Sequence, residues 1–260
     1  MSPALLRVLP TPEAIGEEVA TRILRGIADA ERDGRRYLLG LPTGRTPMPV
    51  YAALARMLTA APGTLAHVTL VMMDEYLVET RDGYAYTTSG GGPSCHAFTD
   101  REITGPLNRA VSHDLRIRSG NVWYPDPTDP GSYDDDIAIA GGIDFFLLAS
   151  GASDGHVAFN PPGSARESRT RVITLSEETR RDNLRTFPAL GTLDRVPRVG
   201  VSVGIATMLG ARQAVMVAWG EGKHETVMRL RAAQALEPDW PATLIHAHRK
   251  GDILVDRAAC

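Results

Sequence analysis

Asp154 and His156 are the residues of this sequence best suited to acid–base chemistry. They follow an apolar run and four small residues, Ala149 to Ala152, which let the backbone approach another group closely. Histidine changes its protonation near pH 7, and a nearby carboxylate fixes its tautomer and favours the imidazolium. A lone histidine is more often structural, but this combination favours a catalytic role for His156.

Two acidic residues, Asp74 and Glu75, follow a second apolar run at residues 68–72. A carboxylate in this position could abstract a proton from a carbon beside a carbonyl group, if a substrate were held within reach. A lone Asp-Glu pair is usually a solvated loop charge. The spacing alone leaves both interpretations open.

The segment formed by Thr43, Gly44, Arg45 and Thr46 follows a third apolar run and has the composition of a phosphate-binding turn. Thr46 is suited to cap a helix whose first residue is Pro47. The backbone N–H groups of such a turn and the positive end of the helix dipole together bind a phosphate. An ordinary strand-to-helix turn is equally compatible with the segment, which lacks the lysine of the P-loop pattern.

The elements that position these three segments predict an α/β fold. Apolar residues recur at helical spacing over residues 12–32, which predicts an amphipathic helix. Short apolar runs predict parallel strands covered on both faces at residues 36–41, 68–72, 144–149, 199–203 and 214–219. We expect a single doubly wound, mainly parallel sheet with helices on both faces, in one domain over residues 1–260. Such sheets bind ligands beyond the carboxyl ends of their strands.

Residues 79–131 are the least regular part of the chain. Glycines and prolines mark turns at residues 87–93 and 125–130 within this stretch. We therefore expect it to form loops over the site.

Composition excludes several classes of function. The 260 residues are 43% hydrophobic, with a formal net charge of -3, and acidic and basic side chains are mixed, so no nucleic-acid partner is expected. No run approaches the roughly 20 apolar residues of a membrane helix, and the first residues do not resemble a secretory signal. The two cysteines, Cys95 and Cys260, cannot build a disulfide framework or a zinc cluster. We expect a cytoplasmic protein without membrane contact and without a bound metal.

Three motifs together make the sequence resemble the glucosamine-6-phosphate deaminase/isomerase family, which shares its fold with the 6-phosphogluconolactonases. The resemblance extends from the first predicted helix to about Asp256. The motifs are Leu41-Pro-Thr-Gly-Arg-Thr-Pro47, Met73-Asp-Glu-Tyr76, and Asp154-Gly-His-Val-Ala-Phe-Asn160 followed by Pro162 and Ser168-Arg-Thr-Arg171.

The resemblance implies a small-molecule phosphosugar as the ligand and leaves a homo-oligomer open. Arg185 and Lys223 lie where the family binds the phosphate, together with the turn at residues 43–46. Their chemistry agrees with that role, since a phosphate dianion is bound well by a planar guanidinium fork and an ammonium point charge.

The resemblance also implies a mechanism that needs no cofactor. His156, assisted by Asp154, would move a proton at the ring oxygen and open the sugar. Asp74 would take the proton from C2 and return it to C1, with loss of ammonia if C2 carries nitrogen. Glu75 and Asn160 would lie beside these groups in the active site.

Three positions depart from the family pattern. Pro161 stands where the deaminases carry a glutamate, and the loss of an acid–base group typically lowers a rate by about 10²–10⁴. Arg45 replaces a glycine of the phosphate turn, and a left-handed backbone there would strain an arginine. Ile173 replaces a lysine of the members that are activated by an amino-sugar effector, so we do not expect that activation here.

Two other functions remain open. A lactonase needs a histidine base and a phosphate clamp but no acid at position 161, although Tyr76 and the residues after His156 differ from the lactonase pattern. Related folds also serve as sugar-phosphate sensors in bacterial regulators. Residues 1–35 offer no basic recognition helix for such a role.

Overall fold

The protein alternates strands and helices along most of its length. The computed structural model describes residues 3–87 and 94–260, so all but the first residue of the predicted turn at residues 87–93 lies outside the described residues. Within them the strands are β1 (Leu5–Leu9), β2 (Tyr37–Leu41), β3 (Val68–Met72), β4 (Asp74–Thr80), β5 (Gly83–Tyr86), β6 (Val122–Trp123), β7 (Phe145–Ala149), β8 (Arg171–Thr174), β9 (Val199–Ser202), β10 (Ala214–Ala218) and β11 (Gly251–Asp256).

The helices connect the strands and flank them. The α-helices are α1 (Pro12–Arg32), α2 (Met48–Ala60), α3 (Cys95–Phe98), α4 (Gly105–Arg109), α5 (Pro130–Ile139), α6 (Glu177–Thr186), α7 (Ile205–Leu209) and α8 (His224–Ala232). A π-helix spans Thr99–Thr104. Short 3₁₀ helices lie at His113–Leu115, Ser119–Asn121, Pro188–Leu190, Leu193–Arg195, Glu221–Lys223, Pro241–Ala247 and Arg257–Ala259.

The central sheet has seven strands in the order β1-β11-β10-β7-β2-β3-β6, and all of its neighbouring pairs are parallel. Four predicted runs supply β2, β3, β7 and β10, with ends within one residue of the expected bounds. The prediction of a mainly parallel α/β sheet is therefore confirmed.

Side chains of the central strands alternate between two apolar cores, one on each face of the sheet. Leu39 and Leu147 pack in the core that contains α1 and α2, whereas Leu38 and Leu148 pack in the core that contains α5, α7 and α8. Helices therefore cover both faces, as the doubly wound prediction requires. Burial on both faces also explains why these strands are continuous apolar runs.

Helix α1 covers the predicted residues 12–32. Thr11 caps its first turn, where the Ala14 backbone N–H donates to Thr11 Oγ1 at 3.3 Å, and Pro12 occupies the first helical position. The buried stripe of this helix, Ile15, Val19, Ile23 and Ile27, repeats every four residues and packs on the sheet.

A second sheet has four antiparallel strands in the order β5-β4-β9-β8. The prediction that residues 199–203 form a strand of the parallel sheet is wrong, because β9 pairs with β4 and β8 in this second sheet. All four residues of β9 are buried, with Val201 in one core and the Phe159 ring against Gly200. Burial on both faces produces the same apolar run in either sheet.

One residue, Met73, joins the two sheets. The backbone N–H of Met73 donates to the Leu41 carbonyl in the parallel sheet at 3.3 Å, and its carbonyl accepts from the Val203 N–H at 2.8 Å. The chain therefore passes directly from the carboxyl end of β3 into β4, whose first residue is Asp74.

Candidate active site

The carboxyl ends of β10, β7, β2 and β3 border a cavity of about 320 Å³. The chain proceeds outward from β2 to β3 on one side and from β7 to β10 on the other, so the cavity lies at the point where the strand order reverses. The predicted site residues that line it are Thr43, Gly44, Arg45, Thr46, Asp74, His156, Arg185 and Lys223.

The Asp154 carboxylate orients the His156 ring. His156 Nδ1 lies 2.5 Å from Asp154 Oδ1, which also accepts from the His156 backbone N–H at 3.1 Å, and Ser176 Oγ donates to Oδ2 at 3.1 Å. Burial raises the pKa of Asp154, but the hydrogen bond and charge of His156 outweigh it, and the net shift is downward. The carboxylate stays ionised and holds the proton on Nδ1, which leaves Nε2 for a substrate.

Gly151 allows the His156 ring to lie directly against the backbone after β7. A Cβ atom built on Gly151 would lie 2.2 Å from both Nδ1 and Cε1 of that ring. The Gly151 N–H also donates to the His156 carbonyl at 2.8 Å. The close approach expected after this strand is therefore made by His156 itself.

Asp74 lies at the junction of the two sheets, with a relative exposure of 6%. Burial raises its pKa to about 7, a hydrogen bond from Cys95 opposes the rise, and the charge of Glu75 adds to it. A carboxyl group that titrates near neutral pH can both accept and release a proton, which is the property of a general base.

Cys95 contacts two of the predicted site residues, a role that the sequence analysis missed. Its Sγ donates to Asp74 Oδ1 at 3.4 Å and lies 3.5 Å from Thr43 Oγ1. The side chain is a buried free thiol. No spacing rule connects these positions, because Cys95 follows Asp74 by 21 residues and reaches it only in the folded chain.

Glu75 lies behind the cavity wall and is fully buried. Its carboxylate accepts from the backbone N–H groups of Tyr76, Cys95 and His96 at 2.7 to 2.8 Å, and it lies 2.5 Å from His96 Nδ1. These contacts anchor the start of α3 beside Asp74. Glu75 therefore lies beside Asp74 but does not line the cavity.

Asn160 is also buried outside the cavity lining. Its Nδ2 donates to the carbonyls of Val157 at 3.1 Å and Val203 at 2.7 Å. The side chain therefore ties the segment after His156 to the end of β9.

The turn after β2 differs from its prediction at two positions. Helix α2 begins at Met48 with Pro47 as its N-cap, so Thr46 is not the cap; its carbonyl accepts instead from Trp219 Nε1 at 2.8 Å. The left-handed residue is Gly44, with φ of 98°, and Arg45 does not share that conformation. The condition for strain at Arg45, a left-handed backbone, is therefore not met.

Three cationic side chains converge at the end of the cavity beside this turn. Lys223 Nζ donates to the Ser150 carbonyl, and Arg185 Nη1 lies 3.6 Å from Asp182 Oδ1. Burial lowers the pKa of Lys223 to about 8; Asp182 raises it, and the charges of Arg45 and Arg185 lower it further. The concentration of positive charge and the N–H groups of the turn are suited to a phosphate.

Similar proteins were found among curated sequences. A glucosamine-6-phosphate deaminase from Beutenbergia cavernae is 36% identical, over 85% of this chain and 80% of its own length. Another from Streptomyces coelicolor is 35% identical, over 97% of this chain and 90% of its own length. The chain belongs to the glucosamine-6-phosphate deaminase family.

Solved structures support membership of the deaminase family. A monomeric glucosamine-6-phosphate deaminase is 28% identical, with a TM-score of 0.83 over 98% of both chains. A 6-phosphogluconolactonase from Thermotoga maritima has a TM-score of 0.68 over 97% of this chain and 99% of its own, at 17% identity, which shows a shared fold. No family model matches the sequence.

The two remaining departures from the deaminase pattern lie together outside the cavity. These departures, Pro161 and Ile173, border a separate open groove beside β8, which Arg171 of the matching motif also lines. In the described residues, Pro161 is absent from the lining of the cavity that holds His156.

Residues 3–87 and 94–260 hold no group of three or more His, Cys, Asp or Glu side chains arranged to bind a metal ion. In the same ranges, no helix has both the length and the apolar character needed to cross a membrane.

Proposed function

We propose that this protein deaminates a hexosamine 6-phosphate of the glucosamine or galactosamine type and releases a ketose 6-phosphate and ammonia. One observation carries the proposal. Asp74 and His156 line the same cavity as Lys223 and the turn at residues 43–46. A phosphate bound at the cationic end would leave the sugar within reach of an acid–base pair.

The phosphate is bound by the turn of residues 43–46 together with Arg45, Arg185 and Lys223. Gly44 adopts a left-handed conformation at this turn, and the Arg45 and Arg185 side chains are exposed to an incoming anion. Lys223 contributes its ammonium group at pH values below about 8. Together they hold the substrate by its unreactive end.

Ring opening uses the His156 ring. Asp154 keeps the proton on Nδ1, so Nε2 accepts the proton of the anomeric hydroxyl and delivers a proton to the ring oxygen. The product of this step is the open-chain aldehyde, in which the former ring oxygen is a hydroxyl group.

Deamination then uses Asp74. Its carboxylate removes the C2 proton while O1 takes up a proton from the C2 ammonium group, which gives a neutral enolamine, and the carboxylic acid then returns its proton to C1. The resulting C2 iminium adds water, and the carbon–nitrogen bond breaks to give the ketone and ammonia. A base with a pKa of about 7 can perform both proton transfers near neutral pH.

The second candidate is lactone hydrolysis, which Pro161 favours because that reaction needs no acid at this position. The purified protein is incubated separately with glucosamine 6-phosphate, galactosamine 6-phosphate and 6-phosphogluconolactone, and ammonia and acid release are measured. Ammonia from an amino sugar supports the proposal. Acid release without ammonia would replace it with a lactonase, and tight phosphosugar binding without turnover would replace it with a sensor.

The Asp74→Asn variant tests the role of the base directly. We expect it to bind the phosphosugar but to lose exchange of the C2 proton with deuterated water, followed by proton NMR. Asp239→Asn, at an exposed carboxylate, is the matched control and retains the exchange. Normal exchange in Asp74→Asn would remove Asp74 from the mechanism.

Broader expectations about the domain, the compartment and the partners complete the proposal. The protein functions as one domain over residues 1–260, in the cytoplasm, on a dissolved phosphosugar and without a nucleic-acid partner. The net charge of -3 and the two cysteines support this setting. A homo-oligomer is one of two assembly states to test, since one structural relative is described as monomeric, and light scattering on the purified chain decides between them.

A further inference from the structure

The thiol of Cys95 lies between two groups that line the cavity. Its Sγ is 3.5 Å from Thr43 Oγ1 and 3.4 Å from Asp74 Oδ1, and the side chain is 1% exposed. Thiols are weak donors and acceptors, and hydrogen bonds to sulfur are longer than those between nitrogen and oxygen. Both contacts therefore have the length of hydrogen bonds to sulfur.

The backbone of Cys95 is held independently of these thiol contacts. Glu75 Oε1 accepts from the Cys95 N–H at 2.8 Å, and Ser94 caps the short helix that Cys95 begins. Glu75 is the neighbour of Asp74 in β4. By holding the Cys95 backbone, the Glu75 carboxylate therefore also fixes the position of the thiol relative to the Asp74 carboxylate. The arrangement leaves the thiol little freedom to turn away.

The direction of the two hydrogen bonds follows from the protonation of the thiol. Burial, with the charges of Glu75 and Asp74, raises the pKa of Cys95 well above its ordinary value, so the thiol keeps its proton. The S–H then donates to Asp74 Oδ1, and the Thr43 hydroxyl is left to donate to the sulfur. A hydrogen bond to the ionised form of Asp74 stabilises the carboxylate against its own burial.

We propose that Cys95 is a positioning residue for Asp74, whose thiol connects the phosphate-end residue Thr43 to the carboxylate and stabilises its ionised, proton-accepting form. The inference rests on the proposed function in that Asp74 is the base. Cys95 itself contacts no substrate and acts through Asp74, which does.

The first test is the pH dependence of kcat/KM for ammonia release. Cys95→Val removes the donor while filling the space, so the acid limb of its profile moves to higher pH by about half a unit, and above pH 8 its kcat/KM approaches that of the wild type at the same pH. Cys95→Ser retains a donor, and its limb stays at or below that of the wild type. Cys260→Ala, at the exposed second cysteine, is the matched control and leaves the limb in place.

A Cys95 side chain that only fills space would give another result. Cys95→Val would then change the melting temperature or the maximal rate, and all four proteins would share one acid limb, which would overturn the proposal. A Cys95→Ser limb shifted as far as that of Cys95→Val would also overturn it, because the donor would then have no effect.

The second test does not depend on catalysis. The protonated carboxyl band of Asp74 is followed by infrared spectroscopy over pH 5–9 and is assigned by its loss in Asp74→Asn. We expect a midpoint near 7 in the wild type and about half a unit higher in Cys95→Val. Equal midpoints would refute the role of Cys95. If no amino sugar is deaminated, the proposed function fails and the infrared titration still decides the role of Cys95.

Discussion

Asp74→Asn should stabilise the folded protein at the pH where it abolishes the proposed reaction. In the folded protein the pKa of the Asp74 carboxyl group is raised from its ordinary value of 3.8 to about 7, mainly by burial. A group whose pKa is raised on folding contributes full stability below its unfolded pKa, and that stability is lost as the pH rises through the folded pKa. Ionised Asp74 therefore destabilises the native state above pH 7.

The size of the effect follows from the pKa shift. A rise of about three units in the pKa of Asp74 lowers the free energy of unfolding by about 4 kcal/mol at pH 8, and by less than half of that at pH 5. Asparagine has nearly the shape of the neutral acid and has no charge to desolvate, so Asp74→Asn recovers this free energy. In a chain of this size, 4 kcal/mol corresponds to a rise in Tm of roughly 8–16 °C.

The assay is thermal unfolding of both proteins at pH 5 and pH 8, followed by circular dichroism. Asp239→Asn, at an exposed carboxylate, provides the control and should leave Tm unchanged at both pH values. The reasoning is refuted if Asp74→Asn is no more stable than the wild type at pH 8. A gain that is the same at pH 5 and pH 8 would equally refute it, because the effect would then not come from ionisation.

Two other predictions concern the histidine and the phosphate end. Gly151→Ala displaces the His156 ring by about 1 Å and lowers kcat/KM about 100-fold, because the new Cβ would lie 2.2 Å from the ring. The control Gly63→Ala adds a Cβ in open space and leaves kcat/KM unchanged. Equal kcat/KM values for Gly151→Ala and the wild type would contradict the packing of His156 on Gly151. The KM for the phosphosugar rises as the pH increases through about 8, because the Lys223 ammonium is present below its pKa and lost above it. Lys223→Ala raises KM roughly 10–100-fold and removes this dependence, and an unaltered profile would assign the titration to another group.

The parts of the site that could be predicted are those formed by residues close together in the sequence. Asp154 and His156 are two residues apart, and the turn at residues 43–46 is a single segment, so each local pattern carries its own chemistry. The parallel strands are equally visible as apolar runs. Strand ends in such sheets are a known place for ligands, so the fold class also predicted where the polar segments would meet.

Cys95 could not be predicted in this way. Its contact with Asp74 depends on Glu75 holding the Cys95 backbone, and a thiol has no sequence pattern that indicates a carboxylate partner. The second sheet was missed for a similar reason. The apolar run of β9 indicates burial on both faces but does not specify whether the partner strand is parallel or antiparallel.

The single residue between β3 and β4, Met73, fixes Asp74 at the contact between the large sheet and the small one. Asp74 pairs with Ser202 in that sheet, and His156 follows β7 of the large sheet while Asn160 ties its segment to Val203 beyond β9. The distance between the proposed base and the imidazole is therefore set by how the two sheets pack together.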